Sequence, residues 1–136
     1  MRTLEDIAEE YAFLDDRDER SRLLIDLGRE LEPMPDALKT DATLVKGCQA
    51  AVWAYPTRNP DGSLHFLADS SSGMTKGIIA LVLSAVQDRA PQDVLGVDFD
   101  AALDPFAIKN QLSSNRTSGI PNMITLIRET AARYAA

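Results

Sequence analysis

Leu4, Ile7, Ala8, Tyr11 and Leu14 recur at three- and four-residue steps, which lays an apolar stripe along one side of a helix. Thr3 precedes the stripe and Asp6 stands in the box position, the arrangement that satisfies free N–H groups in a first turn. After an acidic break at Asp15-Asp16-Arg17-Asp18, Leu23, Leu24, Leu27 and Leu31 repeat the pattern and predict a second helix. Pro33 and Pro35 end it, because neither can donate into a helical ladder. A connection starting at Pro33-Met34-Pro35 then runs to Cys48, with a short turn expected over 36–38.

The period changes to two over 49–55, which predicts a strand. Ala51, Trp53 and Tyr55 share one face and Ala50, Val52 and Ala54 the other, so both faces should be covered. Asn59-Pro60-Asp61-Gly62 supplies turn chemistry, Pro setting φ and Gly admitting φ > 0. A second strand over 63–68 should turn Leu64, Phe66 and Ala68 inward and His65 to the opposite side, giving a hairpin with a longer loop.

Asp69-Ser70-Ser71-Ser72-Gly73 is rich in helix-capping residues. The most apolar helix is expected over 74–89, with Ile78, Ile79, Val82, Leu83 and Val86 facing the core. Short helical pieces should follow over 91–95, started by Pro91, and over 100–108. Ile120, Met123, Ile124, Ile127, Ala131 and Tyr134 mark a final amphipathic helix, in which Pro121 should cost a hydrogen bond and force a kink or a later start. Helices around one strand pair define an α+β fold: a small antiparallel sheet with helices packed on one face.

The 136 residues fit a single domain spanning 1–136, with 45% apolar residues to build its core. The formal net charge of −7 and the lack of a basic stripe count against nucleic acid. The acidic N-terminus does not read as a signal peptide, and the longest apolar run, 78–86, is too short to span a bilayer. With one cysteine, which persists as a thiol under reducing conditions, the expectation is a soluble cytoplasmic protein.

That cysteine, Cys48, follows Gly47 at what reads as the opening of a strand. It cannot close an internal disulfide or build a four-thiolate metal site, so its chemistry is that of one nucleophilic sulfur or none. Gly47 allows a sharp turn, and Lys46 either favours the thiolate or is a solvated loop lysine. His65, the sole histidine, is either a general base beside Cys48 or a satisfied strand histidine. No ligand spacing supports a metal site, and no Gly-rich phosphate loop follows a strand.

Gly47-Cys48-Gln49-x-x-Val52-Trp53, then Asp69-Ser70, Lys76-Gly77-Ile78 and Leu112-Ser113-x-x-Arg116-x-x-Gly119-Ile120, resembles the SufE family of sulfur-acceptor proteins. Upstream, Leu24-Ile25-x-Leu27-Gly28-x-x-Leu31-x-Pro33-Met34-Pro35 is similar to the segment with which that domain begins. The likeness runs from about Asp18 to the last helix, and departs from the family at Ala50, within Ser70-Ser71-Ser72, and at Arg17 and Ser21.

The resemblance implies a SufE/IscU-like fold and docking on a SufS-type cysteine desulfurase. It implies that Cys48 takes persulfide sulfur from that enzyme, stimulates it, and passes the sulfur to a SufBCD-type iron–sulfur assembly scaffold. The protein would carry no cofactor of its own, PLP residing on the desulfurase, and no metal. Lys46, Gly47, Gln49, Trp53, Asp69, Lys76 and Arg116 are the supporting or partner-contact candidates. Trp53 would wall the thiol or sit as a plain core residue. Asp69 and Lys76 would order the loop before the buried helix or touch the partner, and Arg116 would orient the Cys48 loop, contact the desulfurase or lie idle. Two other readings stand: a contact-only regulatory module with an inert cysteine, and an IscU-like scaffold, which the single thiol argues against. The sequence leaves a homodimer open.

Overall fold

Gly28 and Gly77 let two helices of this molecule meet backbone to backbone. The computed structural model describes residues 3–45, 50–108 and 119–136. Helix α1 (Leu4–Phe13) is capped by the Thr3 hydroxyl, which accepts the Asp6 N–H at 3.1 Å, and it buries Ile7 and Tyr11. Helix α2 (Arg17–Arg29) is capped in the same way by the Asp16 carboxylate, which accepts the Asp18 N–H at 3.0 Å. It buries Leu23, Leu24, Leu27 and Gly28. Helix α3 (Gly73–Ser84), started by the Ser72 hydroxyl accepting the Thr75 N–H, is the central element. α2 crosses it where a Cβ on Gly28 would lie 2.8 Å from the Gly77 nitrogen, so the two backbones touch with nothing between them.

The sheet is a hairpin of β1 (Val52–Arg58) and β2 (Leu64–Ser70), antiparallel, with Val52 opposite Ser70, Trp53 opposite Asp69 and Arg58 opposite Leu64. β1 starts and ends three residues later than the alternation predicted. It accommodates Pro56 because the even-numbered positions of β1 turn their hydrogen-bonding groups away from β2. There the Val52 carbonyl accepts the Val45 N–H at 2.7 Å and the Ala54 N–H donates to the Thr43 carbonyl at 2.9 Å. A proline on that outer edge removes no ladder bond. The expected double coverage of β1 does not hold either, since Tyr55 is 37% exposed on the face away from the helices.

The other edge of β2 is sealed by a side chain. The Phe66 N–H donates to Gln87 Oε1 and the Gln87 amide donates back to the Phe66 carbonyl, each at 2.7 Å, mimicking a strand. The Leu64 N–H donates to the Arg89 carbonyl at 2.9 Å and the Asp88 N–H to the Leu64 carbonyl at 2.8 Å. This return explains why α3 ends at Ser84 rather than continuing to 89: Asp88 takes φ 58°, left-handed, to turn the chain onto the sheet.

Helices α4 (Pro91–Leu95) and α5 (Phe99–Leu103) follow. The single piece expected over 100–108 is divided, since 3-10 turn Asp104–Phe106 succeeds α5 and Ala107 reverses at φ 53°. Helix α6 (Ile120–Ala135) follows Gly119 at the N-cap position, and Pro121 lies in its first turn. No kink or later start results, because the first N–H groups of a helix have no intrahelical acceptor to lose. The core joins Leu24 and Leu27 of α2, Phe66 of β2, α3 from Ile78 to Leu83, and Phe99, Phe106, Met123 and Ile127. Tyr11 meets Phe106 edge-on, ring centroids 5.3 Å apart, tying α1 to the 3-10 turn after α5. Among the described residues no helix is long and apolar enough to cross a membrane.

Candidate functional site

Cys48 and its neighbours Lys46, Gly47 and Gln49 lie outside the described residues, as does Arg116. The described chain on either side shows what holds that segment's ends. Val45 is paired to Val52 by the 2.7 Å bond, and Leu44 bridges antiparallel to Trp53. On the returning side the Ala51 N–H donates to the Ser71 hydroxyl at 3.0 Å, while the Ala51 carbonyl accepts the Ser71 N–H at 3.0 Å and the Ser70 hydroxyl at 2.8 Å. Ser70 is buried, and its oxygen also accepts the Ser72 N–H at 3.1 Å. The serines of 70–72 therefore join the re-entry of the chain, the end of β2 and the cap of α3.

Three of the sequence candidates come together beside these anchors. The Asp69 carboxylate lies 2.7 Å from Lys39 Nζ and 3.4 Å from Lys76 Nζ, and accepts the Ser70 N–H at 2.8 Å. Trp53 is the cross-strand neighbour of Asp69, and Lys39 Nζ stands 5.6 Å from its ring centroid. Trp53 is half-buried, neither a closed core residue nor an exposed one. Partial burial pushes the Asp69 carboxyl up, but the Lys39 hydrogen bond, the Ser70 N–H and the charges of Lys76 and Lys39 outweigh it and hold it below the usual carboxylate range. The Asp69 hydrogen bond in turn holds the Lys39 ammonium above its ordinary value, against desolvation and with help from Asp36, 3.4 Å away.

Lys39 was not a candidate from the sequence. It sits after the 3-10 turn Asp36–Leu38 in a stretch without periodicity. Its i,i+3 spacing from Asp36 was the one local signal, and nothing in the chain order announced Asp69 as its partner.

His65 is a satisfied strand histidine. Its Nδ1 is 2.7 Å from Asp88 and its Nε2 2.7 Å from Glu32. It lies four residues along β2 from Asp69, about 13 Å at strand rise, towards the end of the hairpin where Arg58 faces Leu64. Among the described residues no group of three or more His, Cys, Asp or Glu side chains could hold a metal ion.

A two-strand antiparallel hairpin with helices on one of its faces, and chain ends at Val45 and Ala51 tied where that hairpin opens, define an α+β domain. The family model described as "SufE: Fe-S metabolism associated domain" matches residues 5–131. The chain belongs to the SufE family, as its motifs implied, and that membership supports a sulfur-transfer role tied to iron–sulfur metabolism. It is similar to an uncharacterized SufE-like protein of Rhizobium etli, 29% identical over 139 residues, with all of this chain and 94% of that protein covered. Its fold is also that of a hypothetical protein of Thermus thermophilus solved in solution: TM-score 0.72, 15% identity, covering 97% of this chain and 95% of the other.

Proposed function

We propose that this protein accepts sulfur on Cys48 from the persulfide of a PLP-dependent cysteine desulfurase of the SufS type, stimulates that enzyme, and hands the sulfur to a SufBCD-type assembly scaffold. The observation that carries the reading is positional. The chain's one thiol falls between Val45 and Ala50, in the family's Gly-Cys-Gln motif, within a segment whose two ends are tied to β1 and to Ser70-Ser71.

The step is an exchange at sulfur. The Cys48 thiolate attacks the outer sulfur of the desulfurase Cys–S–SH, a new S–S bond forms, the old one breaks, and the desulfurase thiolate leaves. Cys48 ends as a persulfide with the transferred proton and no net change of oxidation state across the pair. The PLP chemistry that makes the first persulfide remains on the partner. Lys46, Gly47, Gln49 and Arg116 are assigned to the same exchange as supporting or partner-contact residues, as the family likeness implies. Asp69, Lys39, Lys76 and Trp53 tie the connection after α2 and the start of α3 to the strand ends that flank this segment.

Incubation with a cysteine desulfurase and sulfur-labelled cysteine tests the reading by mass spectrometry. A gain of one sulfur atom at Cys48, abolished in C48S together with stimulation of the desulfurase, is the expected result. Stimulation that survives C48S identifies a contact-only module instead, and iron bound without any partner identifies a scaffold.

A further inference from the structure

The Glu32–His65–Asp88 cluster lies four residues along β2 from Asp69 and belongs to no step of the proposed sulfur transfer. Carboxylates at neutral pH only accept hydrogen bonds, and a neutral imidazole has one N–H. With a carboxylate oxygen 2.7 Å from each ring nitrogen, both nitrogens must donate, which requires the imidazolium. Three segments meet on this ring: the chain just past α2, strand β2, and the left-handed turn after α3.

The two arms are unequally held. Asp88 is fixed without His65, because its carboxylate accepts the Asn59 amide at 2.9 Å and its own N–H donates to the Leu64 carbonyl at 2.8 Å. Glu32 has His65 as its only side-chain partner among the described residues. Residues 32–34 make no backbone hydrogen bond among the described residues: the ladder stops with the Leu31 N–H on Gly28 and resumes with the Leu38 N–H on Pro35. Within this stretch Met34 is buried.

We propose that the cluster is a protonation-dependent clasp, in which loss of the His65 proton opens the Glu32 arm and leaves the Asp88 arm closed. A neutral ring retains its proton on Nδ1, facing the better-anchored Asp88, and turns an Nε2 lone pair towards the Glu32 carboxylate. Like-signed density at hydrogen-bond distance separates them. The stretch released runs into the Asp36–Leu38 turn and Lys39, so the clasp sets the slack in the connection that carries Lys39 to Asp69.

The charged groups around the ring are these. Glu32 comes from the chain just past α2, Asp88 and Arg89 from the turn, Asp61 acts through Asp88, and Glu5 of α1 lines with His65 an open cleft of about 690 Å³. Burial opposes protonation of His65, but the Asp88 and Glu32 hydrogen bonds and charges prevail and raise its pKa above the ordinary value.

NMR titration of the full chain across about pH 5 to 9 reads both arms. His65 should titrate above the ordinary histidine value of about 6.5, with both ring nitrogens protonated below the midpoint and Nδ1–H above it. The Glu32 carboxyl carbon should follow the same midpoint, and 15N relaxation should show backbone order at Glu32 and Met34 falling there. E32Q, at an exposed position, should lower the midpoint. A midpoint at or below about 6.5, an Nε2–H tautomer, or unchanged order at Glu32 and Met34 through the titration overturns the clasp. So does an E32Q midpoint equal to wild type.

Discussion

Gly77→Ala tests the claim that two backbones in contact organise this fold. A Cβ there would lie 2.6 Å from the Leu24 carbonyl carbon and 3.0 Å from Leu24 Cβ, with the Leu24 carbonyl oxygen closer still. The obstacle is main chain, so no rotamer change relieves it, and α2 must retreat by about 1 Å to restore ordinary contact. A gap of that size forfeits roughly a quarter to a half of each dispersion well along the interface. Leu23, Leu24 and Leu27 of α2 and Ile78 and Leu81 of α3 are buried close to this crossing. At about 2 kcal/mol of burial each they represent roughly 10 kcal/mol, of which about a third, some 3–4 kcal/mol, is lost. Alanine's better helix propensity returns about 1 kcal/mol. The net loss of about 2–3 kcal/mol is a large share of a typical margin of about 5–15 kcal/mol. Urea denaturation, followed by circular dichroism and Trp53 fluorescence, measures it. G73A is the control, because its Cβ would meet nothing nearer than Ile25 Cγ2 at 4.0 Å. The reasoning fails if G77A unfolds within about 0.5 kcal/mol of wild type.

Further outcomes follow from the same geometry. Gln87→Ala strands the N–H and carbonyl of buried Phe66 and should cost about 1–3 kcal/mol in the same assay, and an unchanged urea midpoint would refute the edge-sealing role. Because the folded-state pKa of Asp69 is depressed, its contribution is present above the unfolded value of about 3.9 and lost as pH falls through the lower folded value. Urea midpoints taken on the acid side should show D69N with a flatter loss than wild type; parallel curves would refute the Asp69 assignment. His65 has the opposite sign: its raised pKa adds stability that is fully present below about pH 6.5 and disappears as pH rises through the folded midpoint, so H65Q should lose most at low pH. Replacing Lys39 by Met should raise the Asp69 titration seen by carboxyl NMR, and an unmoved Asp69 would show that Lys76 alone sets it.

Helix caps, the turn at Asn59-Pro60-Asp61-Gly62 and the apolar stripes of α1, α2 and α6 were legible because each depends on residues within a few positions of one another. The strand bounds were misread for a different reason. Pro56 looks like a breaker until one knows which edge of β1 its nitrogen faces, and that depends on residues 43–45 lying alongside. The end of α3 was misplaced because Val86 continues the apolar pattern, while the turn at Asp88 is set by hydrogen bonds to Leu64 on another element.

The order of residues alone determined the family likeness, the α+β class and the identity of the one thiol, since motif spacing, hydrophobic period and a count of cysteines are properties of the chain itself. Tertiary structure decided the rest. It brought Lys39 to Asp69 across thirty positions and placed His65 between two acids, because charges far apart in the chain interact only once packing brings them within hydrogen-bond reach. It also made Gly28 and Gly77 into a helix crossing, since the need for a missing side chain arises only where a second backbone occupies its space.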